Sequence, residues 1–364
     1  MQLFEKDTNI NIDKETNLEY PLEKILFFDI ETTGFAAKNT KLYLIGAAYY
    51  NPSKESFHIM QWLIETPEDE AIILVDFFKL LSSFEVVAHY NGSGFDIPYI
   101  EAKCKAYNLP YDFSNIKSFD IYKEISAIKS IFKLPNIKQK SIESFLDIDR
   151  TDKYSGGDLI SVFNEYLNTK DSSLKDILLL HNHDDLLGLV NILPILNYLC
   201  VFNGDFDLSK LDICYDNDNE LKEAIIECHS YYNIPKRISF GNNTYYITWY
   251  KDKLKIKVPI YNGGLKYFYP NYKDYYYLPK EDYSIHKSVA FYVDKNFRTK
   301  ANAANCYSKK TGRFIPQIHE IIKPYFKINY EDKTTYFELT DDIINNTAML
   351  KNFVLDTITV LSKK

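Results

Sequence analysis

Residues 25–34 read ILFFDIETTG. Four apolar, β-prone residues run into two carboxylates, Asp29 and Glu31, placed two positions apart. Side chains alternate across a strand, so both acids leave the same face near its end. An uninterrupted apolar run of this kind marks a strand buried on both faces, at the centre of a sheet. Two carboxylates there are costly to bury unless something neutralises them. A pair of oxygen donors suits a hard divalent cation, Mg²⁺ or Mn²⁺. A solvated strand end is the plain alternative. Thr32, Thr33 and Gly34 follow, small enough for a substrate backbone to come close.

LYLIGAAYY (42–50) and FHIMQWLI (57–64) read as two strands joined by the turn material NPSKES. Residues 68–82 have helical periodicity with an acidic first turn. EVVAHYN (85–91) is a fourth strand and IKSFDIY (116–122) a fifth. Between them, residues 96–109 read as a helix stopped by Pro110, and 121–200 reads as helical throughout. The expected fold class is α/β, with a mixed five-stranded sheet flanked by helices. After Asp205 the pattern changes. Residues 216–232 read as one more helical stretch, and from Arg237 strands alternate with GNN, KDK and NGG turns. The expected domains are a polar lead-in (1–20), the α/β domain (21–204), a helical connector (205–235) and a smaller, tyrosine-rich α+β domain (236–364).

The 364-residue chain is 46% hydrophobic and 26% charged, which excludes disordered and collagenous classes. No apolar run approaches the roughly 20 residues that span a bilayer, so no membrane association is expected. The start, MQLFEKDTNINIDKE, does not read as a signal peptide. Five scattered cysteines with no CxxC fit a reducing cytoplasm better than a disulfide scaffold or a zinc site. The net charge of −7 hides an asymmetry: residues 1–235 carry 21 basic and 38 acidic side chains, residues 236–364 carry 22 and 12. Within 286–314, Lys295, Arg298, Lys300, Lys309, Lys310 and Arg313 interleave with aromatics, a candidate nucleic-acid grip. Solvated lysines over a β-rich core are the alternative.

Two more stretches carry chemistry. In AHYNGSGFDIPYI (88–100), a strand enters a glycine-containing turn, and Asp96 opens a helix, either as its cap or as a ligand. Asn91 reads as a turn residue, and His89 as structural and not a ligand. In SSLKDILLLHNHDDLLGLVNILPIL (172–196), a long helix capped near Ser172, His181 and Asp185 are four apart and share a face. A carboxylate and an imidazole there suit a metal ligand and a general base. Asp184 is the competing acid.

In this order, FFDIETTG, NGSGFD and HNHDD resemble the three motifs of the DEDD superfamily of exonucleases, which have a ribonuclease-H-like fold. Residues 138–171 (KQKSIESFLDIDRTDKYSGGDLISVFNEYLNTKD) are similar to the stretch before the third motif in its YprB-type branch. The resemblance covers roughly residues 22–200. It implies a 3′→5′ exonuclease that hydrolyses DNA by a two-metal mechanism, in repair or nucleic-acid turnover. By that resemblance Asp29, Glu31, Asp96 and Asp185 hold two divalent cations, Mg²⁺ or Mn²⁺, and His181 is the general base. Thr32, Thr33, Gly34 and Phe35 would contact the terminal nucleotide, with Asn91 and Phe95 opposite, and a helicase is the implied partner. One feature departs from the pattern: three residues separate His181 from Asp185, the spacing of the Tyr-type branch, where the His-type has four. RNA as substrate, or a non-catalytic nucleic-acid-binding protein on the same fold, are the rival readings.

Overall fold

The computed structural model describes residues 1–10, 16–215 and 221–363. They form two compact units, Met1–Leu199 with Ile234–Lys236, and Cys200–Asn233 with Arg237–Lys364.

In the first unit, a six-stranded mixed sheet is built from β1 (Gln2–Thr8), β2 (Ile25–Thr32), β3 (Leu42–Asn51), β4 (Ser56–Leu63), β5 (Val86–His89) and β6 (Lys117–Asp120). The order is β1-β4-β3-β2-β5-β6, with β2, β5 and β6 parallel and the β1–β4, β4–β3 and β3–β2 pairs antiparallel. β2 is central, as its apolar run requires: Ile25, Leu26, Phe27 and Phe28 are all buried. The five expected strands are all present, and the sheet has one more. Part of the polar lead-in is that sixth strand, β1, which lies at the sheet edge. Its charged residues are what an edge strand tolerates. Asp7 there pairs with Lys54 and His58, each at 2.7 Å. Residues 11–15 of the lead-in lie outside the described residues.

Five helices complete the part that positions the site: α1 (Asp69–Leu81), α2 (Asp96–Ala106), α3 (Ile121–Ser126), α4 (Gln139–Phe145) and α5 (Gly156–Thr169). A sixth, α6 (Ser172–Asn191), packs on β2 and β3. One face of β2 packs Phe28 against Phe77 of α1, with ring centroids 5.5 Å apart. From β3, Tyr43 stacks on Phe163 of α5 at 4.2 Å. The N-cap of α6 is Asp171, whose side chain accepts from the Ser173 N–H, one residue before the expected cap. The expectation of continuous helix from 121 to 200 fails at residues 127–138, helical only as a 3₁₀ turn over Lys129–Phe132, and at residues 146–155, an irregular loop between α4 and α5.

Ser172–Asn203 is a 32-residue helical stretch long and apolar enough to cross a membrane, with a mean hydropathy of 1.8 in its richest window. The expectation that no run is long enough is corrected to that extent. Of that window, 67% is buried inside the protein, the mark of a core helix.

The second unit is β-rich, with two three-stranded sheets, one four-stranded sheet and a terminal helix, Thr347–Leu361. The helical connector does not form. Phe206–Tyr215 and Leu221–Gly241 are paired antiparallel strands. Ala224, Ile226, Cys228 and Ser230 are buried in alternation, a period of two that the intervening Glu223 and Glu227 disguised. Residues 216–220 of that expected helix lie outside the described residues.

Candidate active site

The site is built where the end of β2 meets α6. Asp29 and Glu31 leave the same face of β2, and the β2–β3 register shifts between Glu31 and Thr32, an irregularity of the kind that re-aims side chains. Opposite Asp29 in register is Gly46. A Cβ at that position would stand 2.0 Å from Asn182 Oδ1, so only glycine leaves room for this helix side chain. Asn182 Nδ2 donates to Asp29 Oδ2 at 3.1 Å, while its Oδ1 accepts from Gln61 at 2.9 Å. Tyr43 donates to Glu31 Oε2 at 3.4 Å.

The helix face expected from the spacing is there. His181 Nε2 lies 3.3 Å from Asp185 Oδ2 and 3.6 Å from Glu31 Oε1. Ligand atoms of Glu31, His181 and Asp185 all lie within 4.8 Å of one another. Asp29 and Asp96 lie outside that tight trio yet feel it electrostatically. Burial, then repulsion from Asp185, Glu31 and Asp96, holds the Asp29 carboxyl well above the usual range. Burial and the Asp185 charge do the same to Glu31. Asp96 is pushed up to about 7, mainly by burial, with Asp120 and Asp185 adding to it and backbone N–H bonds from Asp96 and Ile30 opposing it. Asp96 is the first residue of α2 and not its cap; the N-cap position is Phe95, which makes no side-chain capping bond.

Residues that the sequence reading missed surround this cluster. Asp152 Oδ2 lies 2.6 Å from His181 Nδ1. Burial would raise the Asp152 carboxyl, but the Tyr154 N–H, His181 and Lys140 outweigh it and keep it below the usual range. Arg150 spans two acids: Nη2 donates to Asp185 Oδ1 at 2.6 Å, and Nη1 to both oxygens of Glu143 at 3.0 Å. Gly188 makes room for Glu143, because a Cβ there would come within 1.9 Å of Glu143 Oε1. Asp184, the competing acid, faces away to cap the loop, accepting from the backbone of Thr151 and Asp152, each at 2.8 Å. Asp120, at the end of β6, accepts from the Asn91 N–H at 2.8 Å. The one available signal was compositional: Arg150 is one of four arginines among 43 basic residues, and it sits between two aspartates, Asp149 and Asp152.

The expected nucleotide contacts border the cluster in sequence. Thr32 donates to the Gly34 carbonyl at 3.0 Å and Thr33 Oγ1 accepts from the Lys41 N–H at 2.8 Å, so both hydroxyls brace their own turn. Phe35 is 91% exposed and meets Phe95 edge-on at 5.8 Å, while Phe95 also packs into the core. Asn91 is an exposed turn residue with φ +61°. In the second unit, Lys309 pairs with Asp282 and Lys310 with Glu338, and Arg298 donates to the Ala290 carbonyl. Lys295 and Lys300 are exposed and Arg313 is half-buried. Lys309 and Lys310 are neighbours on one strand and point to opposite faces, so the six residues do not form one surface.

Residues 26–197 match the family RNase_H_2, described as RNase_H superfamily. The mixed sheet with its flanking helices is a ribonuclease-H-like fold. A DNA polymerase of Archaeoglobus fulgidus is 27% identical over 111 residues, 28% of this chain and 12% of the polymerase. The chain therefore spans about an eighth of that relative's length. Among solved structures, the family B DNA polymerase of Pyrobaculum calidifontis is similar with a TM-score of 0.38 and 14% identity, over 68% of this chain and 34% of that one. Exonuclease I of E. coli in complex with a dT13 oligonucleotide gives a TM-score of 0.34 at 10% identity, over 93% and 74%.

Proposed function

We propose that this protein is a metal-dependent nuclease that shortens DNA from its 3′ end. The observation that carries the reading is the trio of Glu31, His181 and Asp185, whose ligand atoms lie within 4.8 Å of one another, with Asp29, Glu31 and Asp96 raised by burial and by repulsion among the acids. Carboxylates so crowded are stable as anions only if something strongly positive joins them, and Arg150 alone reaches just one of the four. The donor set is oxygen-rich and fits Mg²⁺ or Mn²⁺. Asp29, Glu31, Asp96 and Asp185 would hold two such ions. When bound, divalent cations supply Lewis-acid polarisation of a phosphodiester and acidify water at neutral pH.

The chain's own residues do the rest. His181 offers Nε2 to the cluster, within reach of Asp185 and Glu31, where it can take a proton from an attacking water. The turn at Thr32–Phe35 leaves its backbone close to the site, and the Phe35 ring is free to stack on a terminal base, a contact worth about 1–3 kcal/mol and tolerant of sequence.

Single strands labelled at the 3′ or the 5′ end, as DNA and as matched RNA, incubated with Mg²⁺ or Mn²⁺, test this. Stepwise loss of the 3′ label from DNA, abolished by EDTA, is expected. Tight binding with no divalent-dependent shortening would make the protein a binder; faster loss from RNA would change the substrate.

A further inference from the structure

Three consecutive loop residues, 150–152, are fastened to helix α6. Asp184 Oδ2 accepts the N–H groups of Thr151 and Asp152, both at 2.8 Å, which sets the loop backbone against the helix. That setting aims the Asp152 side chain, 1% exposed, at His181, 5% exposed. Asp152 Oδ1 accepts the Tyr154 N–H at 3.0 Å, leaving Oδ2 for His181 Nδ1 at 2.6 Å. A carboxylate accepts and does not donate, so the ring proton belongs on Nδ1. In the neutral ring Nε2 is then the unprotonated nitrogen, 3.3 and 3.6 Å from Asp185 Oδ2 and Glu31 Oε1.

We infer that Asp152 is a positioning residue for His181: it holds the imidazole in the Nδ1–H tautomer and points the basic Nε2 into the carboxylate cluster. The same loop extends Arg150 to Asp185 and Glu143, so one irregular segment orients two of the polar groups that α6 contributes, His181 and Asp185. An imidazole on a helix surface ordinarily rotates about two bonds and exchanges tautomers, and neither freedom survives a buried carboxylate at 2.6 Å. The kinetic consequence rests on the nuclease reading; the tautomer does not.

The test uses the full chain, ¹⁵N-labelled and loaded with Mg²⁺ at pH 8, with the tautomer read from long-range ¹⁵N–¹H correlations of the imidazole. The wild-type protein is expected to show His181 protonated on Nδ1. Asp152→Asn keeps the shape, but its amide can donate to Nδ1, so the proton is expected to move to Nε2. On a single-stranded DNA substrate the variant should lose about 10²–10⁴-fold in kcat, with KM changed by less than about threefold. Asp152→Glu, which restores the acceptor, should recover part of the rate. A wild-type ring protonated on Nε2, or an Asp152→Asn variant with unchanged kcat or with only KM raised, overturns the inference. The wild-type spectrum decides even if the variant fails to fold. If the wild-type protein cleaves nothing, the nuclease reading falls while the tautomer result still decides the role of Asp152.

Discussion

The acidic cluster of the first unit and the basic stretch of the second are both concentrations of like charge in the sequence, and they fold into opposite situations. Acids from β2, α2 and α6 are drawn together and partly buried, and the carboxyls of Asp29, Glu31 and Asp96 are forced upward. The lysines instead find acids distant in the sequence: Lys287 meets Asp274, Lys309 meets Asp282 and Lys310 meets Glu338. Exposed pairs of that kind contribute about 0–1 kcal/mol each and carry no functional message. Crowded, buried charge of one sign does carry one, because folding must overcome its cost and bound protons or a cation relieve it.

The largest expected effect follows from removing a cluster member. Asp29→Ala or Asp185→Ala should bring DNA shortening down to background while circular dichroism and melting temperature show a folded protein. Retained turnover in either variant would place the chemistry elsewhere.

Arg150 offers a finer division between charge and shape. Its fork bridges Glu143 and Asp185, and a lysine ammonium cannot span both. Arg150→Lys is expected to lose about 10–100-fold in kcat despite the conserved charge. Full activity would mean that charge alone suffices there.

A third effect is on stability. Asp29, Glu31 and Asp96 have folded pKa values above their unfolded ones, so the folded protein binds protons more tightly than the unfolded chain. Without metal, their contribution weakens folding as pH rises from about 4 through about 7, the point to which Asp96 is pushed. In EDTA the site should therefore lower the melting temperature between pH 5 and pH 8, and the rise produced by Mg²⁺ should be greater at pH 8. An equal Mg²⁺ shift at both would contradict the site as the ion's location.

The smallest effects belong to the paired lysines. Lys309→Ala and Lys310→Ala should each change stability by about 0–1 kcal/mol. Together they should weaken single-strand binding less than the triple change of Lys295, Lys300 and Arg313 to alanine. A reversed order in a fluorescence-anisotropy titration would make the strand 307–317 the contact surface.

The strands near the site were legible because a buried sheet writes itself as apolar runs between turns: ILFF, LYLIGAAYY and EVVAH each need no partner to be recognised. The edge strand β1 was not, because one with solvent on most sides shows no such pattern. The strand 221–241 hid its alternation behind charges that also suit a helix. Arg150 and Asp152 were invisible for a different reason. They lie on a loop without periodicity, and their meaning depends on a helix some thirty residues further along the chain.

By itself, then, the chain determined the central strand, the pairing of Asp29 with Glu31 on one face, and the shared face of His181 and Asp185, since local geometry alone sets which way such side chains point. Tertiary structure decided the rest: that Asn182 passes through the gap left by Gly46, that Asp184 serves the loop and not the cluster, and that Asp152 aims His181. Hydrogen bonds between segments far apart in sequence form only once packing has brought the partners within about 3 Å, and no local pattern encodes that approach.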